Sequence, residues 1–284
     1  MYIYPHLPSI KTFPFIRYAG SGLCNSLFVF CRALLLAEKY NLEVINPTWL
    51  NFDPVQWRLW SKDKRTYHDL FKRIGLSGLR KFAYLLSHDA IKEEDYLDNP
   101  QKFSENDGYV EVFLMKGFAP ILEDVEFVKD SLMETVCPKH IEAVKGYDFT
   151  KTIAVHIRYG DYTTKRLDGR WYKSLILQIH EKSPEYSFLV FSDGKDEELK
   201  DICELPFVKR HYFGSSISDL FAISSCCALI GSHSTFTDWG GYLGQIPSLL
   251  PKEPHYGGFL LDKRKEFIIG LEPVVPDGFF DYLR

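Results

Sequence analysis

Short apolar runs alternate regularly with amphipathic stretches over the second half of the chain. The apolar runs predict buried strands, and the stretches between them, with apolar residues every three or four positions, predict helices. The predicted strands are 152–157, 187–191, 208–213, 228–230 and 247–250, and the predicted helices are 171–182, 196–203, 218–225 and 235–243. Repeated strand–helix units form a parallel sheet with helices on both faces, and ligands bind at the carboxyl ends of its strands.

The first half of the chain opens with a similar unit. Residues 13–18 predict a strand, 19–22 a tight turn of small residues, 25–40 a helix, and 42–45 a second strand. Asn25 is the predicted N-cap of this helix, because its side-chain oxygen can accept hydrogen bonds from the amides of the first turn. Glycine in the same turn lets a ligand approach the backbone closely.

Residues from about 51 to 107 differ in character from the rest of the chain, since large apolar residues alternate there with lysines and arginines. The pattern predicts a mainly helical, basic and amphipathic insertion. A boundary near 146–150 divides the chain into an N-terminal domain of residues 1–148, which contains the insertion, and a C-terminal domain of residues 149–284. We therefore predict an α/β protein of two Rossmann-like lobes whose parallel sheets face a central cleft.

Polar and charged residues follow the predicted strand 152–157. Because side chains alternate along a strand, His156 and Arg158 point the same way. Arginine stays charged and its planar guanidinium matches phosphate oxygens, so Arg158 is the candidate cation for a departing diphosphate. Asp161 is the second candidate catalytic residue. An ion pair between Arg158 and Asp161 that caps the strand is the structural alternative.

Two further polar groups lie at predicted strand ends. Asp193 follows strand 187–191, and a carboxylate there can accept two hydrogen bonds from a guanine edge; capping of the next helix is the alternative. The run 231–241 turns into a helix, where the amides and hydroxyls of Ser234 and Thr235 favour an anion such as pyrophosphate. Simple capping by serine or threonine is the competing explanation.

Composition and charge exclude several classes of protein. A net charge of -4 and a pI near 6.2 give no general attraction to nucleic acid. The six cysteines form no CxxC pair, no secretory leader precedes them, and no apolar segment is long enough to cross a bilayer, which favours a reduced, cytoplasmic setting. Because no Asp-x-Asp pair and no zinc-like spacing occur, we expect no metal cofactor.

Taken in order, these segments resemble the α-1,2-fucosyltransferase family of bacteria and eukaryotes. Its Gly-Gly-Leu-Gly-Asn-Gln-Leu-Phe pattern is similar to residues 21–28, its His-x-Arg-Arg-x-Asp signature to 156–161, its Phe-Ser-Asp segment to 191–193, its Asp-Leu-x-x-x-Ser-x-Cys segment to 219–226, and its Ile-x-Ser-x-Ser-Thr-Phe-x-x-Trp segment to 230–239. The chain departs from the family at Ser21 and Cys24, which replace glycines, at Tyr159, which replaces the second arginine, and at Asp238, which replaces a tryptophan.

The resemblance implies a GT-B fold, GDP-fucose as the donor, inversion at the anomeric carbon and no required metal. It implies that Arg158 contacts the β-phosphate, His156 and Asp193 the guanosine, Ser234 and Thr235 the phosphates, and Asn25 the donor. Substrate contacts are also expected at Gly22, Phe236 and Asp238, the last on the acceptor side and, with Asp161, a candidate base. The acceptor is expected to be a glycan or a lipid-linked oligosaccharide.

Three interpretations of function stay open. The chain is a galactoside α-1,2-fucosyltransferase, or a non-catalytic nucleotide-sugar or glycan-binding relative in which Tyr159 and Asp238 mark lost activity, or a transferase that uses another GDP-hexose or acceptor. The basic stretch 57–81 is either a solvated helix face or a peripheral contact with the anionic inner face of a membrane. The sequence carries no signal for the oligomeric state.

Overall fold

The structure, a computed structural model, describes residues 1–13, 15–54, 65–103, 108–160, 166–252 and 258–283. The chain forms two compact units, Met1–Pro138 and Lys139–Arg284. Asp161 falls between the described ranges, so its predicted role lies outside the described residues. The same holds for residues 55–64 of the basic stretch.

The first unit is built around a parallel sheet. In its described part the strands are β1 (Tyr2–Pro5), β2 (Lys11–Thr12), β3 (Arg17–Tyr18), β4 (Glu43–Val44), β5 (Asn51–Phe52), β6 (Ala90–Lys92) and β7 (Tyr109–Val112). Strands β4, β1, β7 and β6 pair in that order, all parallel, and β2, β3 and β5 form a separate small sheet. The predicted strand 13–18 is therefore shorter than expected and lies in the small sheet. The sequence pattern misses the central strand β1, because four residues ending in proline are too few to establish a period.

Helices cover this sheet and fill part of the predicted insertion. The described helices of the first unit are α1 (Leu23–Tyr40), α2 (Gly78–Ser87), α3 (Glu93–Asp98) and α4 (Val125–Thr135), with a 3-10 turn at Pro100–Phe103. Within residues 51–107, strands β5 and β6 accompany α2 and α3, so the described part of the insertion is mixed rather than mainly helical.

Helix α1 follows the tight turn and packs its apolar residues into the first unit. It begins after Gly22, whose backbone is extended and which offers no side-chain cap, and the Leu23 amide instead donates to the Tyr67 hydroxyl at 2.9 Å. Asn25 is therefore the third helical residue, and its prediction as N-cap is wrong. The helix ends at Asn41, whose φ of 51° is the left-handed conformation that asparagine tolerates.

Helix α2 turns a lysine inward and leucines outward. Lys81 is buried, and its Nζ donates to the Asn46 carbonyl at 2.6 Å and to Thr48 Oγ1 at 2.8 Å, while Leu79 and Leu86 are 76% and 72% exposed. Burial lowers the pKa of Lys81 from its ordinary 10.5 to about 7. The basic stretch is thus not a uniformly solvated face.

The second unit contains a six-stranded sheet in which every pairing is parallel. Its described strands are β8 (Thr152–Ile157), β9 (Ser187–Ser192), β10 (Val208–Arg210), β11 (Ala228–Ile230), β12 (Ser248–Pro251) and β13 (Glu266–Ile269), paired in the order β10, β9, β8, β11, β12, β13. Its described helices are α5 (Pro138–Glu142), α6 (Gly169–Lys182), α7 (Asp196–Cys203), α8 (Ser216–Ser225), α9 (Thr235–Gly244) and α10 (Asp277–Phe280), with a 3-10 turn at Lys263–Lys265. The predicted alternation of strands and helices is confirmed, although β10 ends at residue 210 rather than 213.

Both faces of this sheet are buried, which explains the continuous apolar runs of its strands. Along β8, Ile153, Val155 and Ile157 pack into one core with α6 and α7, and Ala154 packs into a second core with α8 on the opposite face. Because the alternation continues, His156 lies on the same face as Ala154.

The division between the units falls about ten residues before the boundary expected from the sequence. The reason is that the segment preceding β8 packs with the second unit: Phe149 belongs to the core beside α8, and Ser218 donates to the His140 carbonyl at 2.9 Å. Among the described residues, no helix combines the length and the apolar character needed to cross a membrane.

The buried ammonium of Lys81 predicts a pH dependence of stability. Below pH 7 the group is charged in both the folded and the unfolded state, so the full penalty of burying the charge is present. Between about 7 and 10.5 the folded protein has lost this proton while the unfolded chain keeps it, so the free energy of unfolding rises with pH. Urea unfolding between pH 6 and 9 should show this rise in the parent and not in Lys81→Met. The exposed Lys129 provides the control Lys129→Met, which should keep the parent slope; equal slopes for the parent and Lys81→Met contradict the assignment.

Candidate functional site

The loops that follow β8 and β9 are joined by the carboxylate of Asp193. Its Oδ1 accepts the amides of Tyr159 at 2.7 Å and Gly160 at 3.0 Å, and its Oδ2 pairs with Arg158. The approach is close on both sides: a Cβ on Gly160 would lie 2.4 Å from Asp193 Oδ2, and one on Gly194 would lie 2.9 Å from the Tyr159 ring. Glycine is required at both positions, and the two loops hold each other in place.

Asp193 does not cap the helix that follows it. Helix α7 begins after Lys195, whose amide donates to Glu198 Oε2 at 2.8 Å. The capping interpretation of Asp193 is therefore wrong. Both of its oxygens are occupied within the second unit, so the predicted contact with guanine would require Oδ2 to exchange Arg158 for the base or to bind both.

Arg158 lies at the carboxyl end of β8, at the surface of the second unit. Its side chain and that of Asp193 are 30% and 32% exposed, so the guanidinium is neither packed into the core nor fully solvated. Because arginine remains charged at any working pH, this position offers a fixed cation to an incoming anion. The ion pair with Asp161 that the sequence left open lies outside the described residues.

His156 is held neutral in a buried hydrogen-bond network. Its Nδ1 lies 2.7 Å from Thr237 Oγ1 and 3.2 Å from Ser232 Oγ, and the Thr237 oxygen also accepts the Ser232 amide at 3.0 Å. Burial, and then the charge of Arg158, lower the pKa of His156 to about 3. When the proton of the neutral ring is on Nε2, Nδ1 can accept a hydrogen bond from the Thr237 hydroxyl.

Thr237 and Ser232 are positioning residues that the sequence reasoning missed. Both lie inside the run 231–241, in which the sequence pattern pointed only to the residues at the helix start. The available signal was the burial of the sheet face that carries His156, because an imidazole on a buried face needs a hydrogen-bond partner.

The start of α9 lies beside the imidazole. Ser234 is the N-cap, and its Oγ accepts the Phe236 amide at 3.2 Å, so the capping explanation for Ser234 is confirmed. The Phe236 ring centre lies 5.0 Å from that of His156. Thr235 is half-buried at the first helical position, where the amide end of the helix favours an anion. The structure thus groups His156 with the predicted residues of the α9 start.

Tyr159, which stands where the related family has a second arginine, points into the protein core. It is 3% exposed, and a Cβ on Gly169 would lie 3.3 Å from its hydroxyl. The Arg166 guanidinium lies over the face of this ring, 3.8 Å from its centre, and binds Glu198 at 2.5 Å. Period-two alternation sends Tyr159 to the side opposite Arg158, so the substitution changes packing beneath the loop rather than the charge beside Arg158.

Asp238 lies inside the second unit, not on an acceptor-facing surface. Its side chain is 2% exposed, and Oδ2 has no hydrogen-bond partner among the described residues. Burial, and then the charge of Glu266, raise the pKa of Asp238 well above its ordinary value. Because burial favours the protonated form of this carboxyl, it argues against the expected contact of Asp238 with substrate and against its role as a base.

The two predicted residues of the first unit lie at the start of α1. Gly22 is the N-cap, and a Cβ placed on it would meet no atom within 4 Å, so the turn is open to a ligand at this point. Asn25 is half-buried, and its Oδ1 has no hydrogen-bond partner in the described parts of the chain. Asn25 Oδ1 therefore has an unused hydrogen-bonding capacity.

Metal ligation is not built into the described residues, since no three of their histidine, cysteine, aspartate or glutamate side chains are grouped. Transfer without a metal stays a prediction.

Comparison with known sequences identifies a family. The model of glycosyl transferase family 11 matches residues 77–249, more than half of the chain. This confirms the fucosyltransferase resemblance at the level of the family. Comparison with curated proteins returns no match.

Comparison with solved structures identifies the fold. The fucosyltransferase NodZ from Bradyrhizobium aligns with a TM-score of 0.54 at 11% identity, over 87% of this chain and 93% of NodZ. A variant of Arabidopsis thaliana FUT1 in complex with GDP gives 0.53 at 13% identity, over 88% and 73% of the two chains. E. coli heptosyltransferase WaaC with ADP gives 0.51 at 9% identity, over 100% and 99%. These relatives are GT-B glycosyltransferases, so the expected GT-B class is confirmed.

The buried network around His156 predicts that this imidazole does not titrate near neutrality. Because its pKa is about 3, the ring should stay neutral from pH 5 to pH 8. NMR spectra of the histidine ring nitrogens, with the signal assigned through His156→Gln, should show one histidine whose shifts do not move over this range. A titration midpoint near 6 for that signal contradicts the network.

Proposed function

The chain belongs to glycosyl transferase family 11, and from this membership we propose that it transfers L-fucose from GDP-β-L-fucose to a hydroxyl group of a glycan acceptor. Membership makes the chain a glycosyltransferase. Support for the donor comes from the five ordered segments that resemble fucosyltransferases and from two structural relatives: NodZ has been co-crystallized with GDP, and the FUT1 variant is in complex with GDP.

The proposed acceptor position is the 2-hydroxyl of a galactoside, with inversion at the fucose C1. The support for this linkage is the resemblance of residues 156–161 and 230–239 to α-1,2-fucosyltransferases. NodZ is described as an α-1,6-fucosyltransferase, so the fold by itself leaves the linkage open. A glycan or lipid-linked oligosaccharide remains the proposed acceptor.

The observation that carries the proposal is the position of Arg158. It is a fixed cation at the carboxyl end of β8, partly exposed, and held in place by Asp193, which is itself anchored by two backbone amides. Ligands of parallel α/β sheets bind at this edge. A diphosphate that reaches Arg158 competes with Asp193 Oδ2 for the guanidinium. Asp193 keeps its two amide hydrogen bonds when its ion pair with Arg158 breaks.

The proposed reaction is a direct displacement. The acceptor oxygen forms a bond to C1 of fucose from the face opposite the diphosphate, while the bond from C1 to the β-phosphate oxygen breaks and its electron pair leaves with GDP. The acceptor hydroxyl loses its proton to a base or to solvent. Asp161 is the proposed base. Arg158 stabilises the negative charge that grows on the β-phosphate, because a preorganised cation gains strength as that charge develops.

The neutral His156 and the start of α9 complete the proposed donor site. An imidazole with its proton on Nε2 can donate one hydrogen bond to the donor without adding charge. The amide end of α9, a helix of ten residues, contributes the positive end of its dipole near the phosphates.

The function is tested by product analysis. Incubation with GDP-fucose and a panel of β-galactosides should give an α-L-fucoside on O2 of galactose, identified by NMR of the product. GDP should inhibit the reaction, and UDP and ADP at the same concentration should not. An α-1,6 or α-1,3 product overturns the linkage, and GDP binding without turnover on any acceptor favours the non-catalytic alternative.

Arg158→Ala should nearly abolish transfer. Loss of one preorganised contact to developing charge typically costs about 3 to 4 kcal/mol, so kcat should fall by roughly a hundred-fold to a thousand-fold. The matched control is Arg170→Ala, because Arg170 is a fully solvated arginine, 89% exposed and paired with Asp168 in the same unit; its kcat should stay close to the parent value. Circular dichroism should show both variants folded. Parent-like turnover by Arg158→Ala contradicts the assignment.

A further inference from the structure

Helix α2 presents an apolar stripe to the outside of the first unit. Leu79 and Leu86 are 76% and 72% exposed, Ala83 between them is exposed, and Phe82 is half-buried. Spacings of three and four residues place these side chains on one face of the helix. The opposite face of the helix, which carries Lys81, packs against the first unit. The apolar stripe is therefore exposed although the helix is docked.

A hairpin turn continues this stripe. The Phe13 amide donates to the Ile16 carbonyl at 2.8 Å and closes the turn, and Phe13, Phe15 and Ile16 are 52%, 50% and 37% exposed. The Phe15 ring centre lies 6.1 Å from that of Phe82, which joins the turn to the helix. We call the six side chains the α2 patch: Phe13, Phe15, Ile16, Leu79, Phe82 and Leu86. Contiguous exposed apolar surface of this kind marks an interaction site.

Basic residues are exposed at the α2 patch. Residues 57–81 contain eight lysines and arginines and two aspartates, whereas the whole chain has a net charge of -4. Arg80 is exposed directly beside Leu79, Arg73 is exposed in the loop before α2, and Lys11 is exposed in the strand that enters the turn. These three exposed cations belong to the elements that form the patch or lead into it, in a chain whose net charge is negative.

We propose that the α2 patch docks on the surface of an anionic lipid bilayer. A bilayer of acidic lipids is complementary to both features of the patch. Its apolar layer can bury the leucines and phenylalanines, and its negative surface attracts the flanking arginines and lysine. Phenylalanine and leucine are typical of the apolar face of elements that lie in this boundary. A second copy of the chain would bring the same basic residues against each other, which costs energy at an interface, so the charge favours lipid over self-association.

Docking through α2 would keep the enzyme at a lipid surface without a spanning segment. The surface is formed entirely by the first unit and involves none of the residues assigned to the donor site. It is therefore independent of the identity of the nucleotide sugar, and it can be tested apart from the transfer reaction.

The experiment is co-sedimentation with vesicles, using the full chain. The parent should bind vesicles of phosphatidylcholine mixed with phosphatidylglycerol at low salt, bind vesicles of phosphatidylcholine alone much less, and lose binding as salt screens the charge. Leu79→Ser combined with Leu86→Ser should lower the partition coefficient by about tenfold for each leucine, from the apolar area withheld from the bilayer. Arg80→Gln should weaken binding to the acidic vesicles and flatten its salt dependence.

The matched control is Leu271→Ser, since Leu271 is 87% exposed in the second unit, and this variant should bind as the parent does. Because the substituted side chains are exposed, thermal unfolding should show every variant folded. Absence of parent binding at low salt, equal binding to both kinds of vesicle, or full binding by the double leucine variant overturns the proposal. So does a concentration-dependent dimer in sedimentation velocity that the double variant abolishes without any vesicle binding.

Turnover separates this proposal from the proposed function. The double leucine variant should transfer fucose to a water-soluble galactoside at the parent rate while losing vesicle binding. If the parent binds vesicles but neither the parent nor the double leucine variant transfers fucose, the docking surface stands and the proposed donor or acceptor is wrong.

Discussion

The carboxylate of Asp193 is the interaction on which the candidate site depends. One side chain at the end of β9 binds two amides and the guanidinium of the loop after β8, and the glycines at positions 160 and 194 let the loops come close enough for it to do so. Arg158 is thereby held at one place before any ligand arrives. Preorganisation matters because a cation that must first be ordered spends part of its interaction energy on its own conformational entropy.

Burial in the second unit favours the uncharged forms of two of the predicted site residues. His156 is neutral and the protonated form of Asp238 is favoured, whereas Asp193 balances the charge of the Arg158 guanidinium. A histidinium beside Arg158 would bind a diphosphate more tightly in the ground state as well as during bond cleavage. In the proposed reaction, a neutral imidazole leaves Arg158 as the group whose interaction would strengthen as the leaving group develops charge.

Sequence patterns predicted the second unit well and the first unit only in part. Strands buried on both faces carry continuous apolar runs, so β8, β9, β11 and the helices between them could be read directly. Strand β1 is too short to show a period, and Gly22 begins α1 with an extended backbone instead of a side-chain cap. The partners of His156 were hidden because Thr237 reaches it across 81 residues, and local patterns carry no information on such contacts.

The orientation of α2 shows a different limit, since periodicity defines two faces of a helix but not which of them is buried. Burial of Leu79 and Leu86 would stabilise the fold by roughly 1.5 to 3 kcal/mol each, yet the structure buries Lys81 instead. The lowered pKa of Lys81 reduces the desolvation penalty, because the buried amine can lose its charge. Departures from such local rules are expected at functional or strained sites. In the proposed docking, contact of the α2 patch with an apolar layer would bury the leucines that folding leaves exposed.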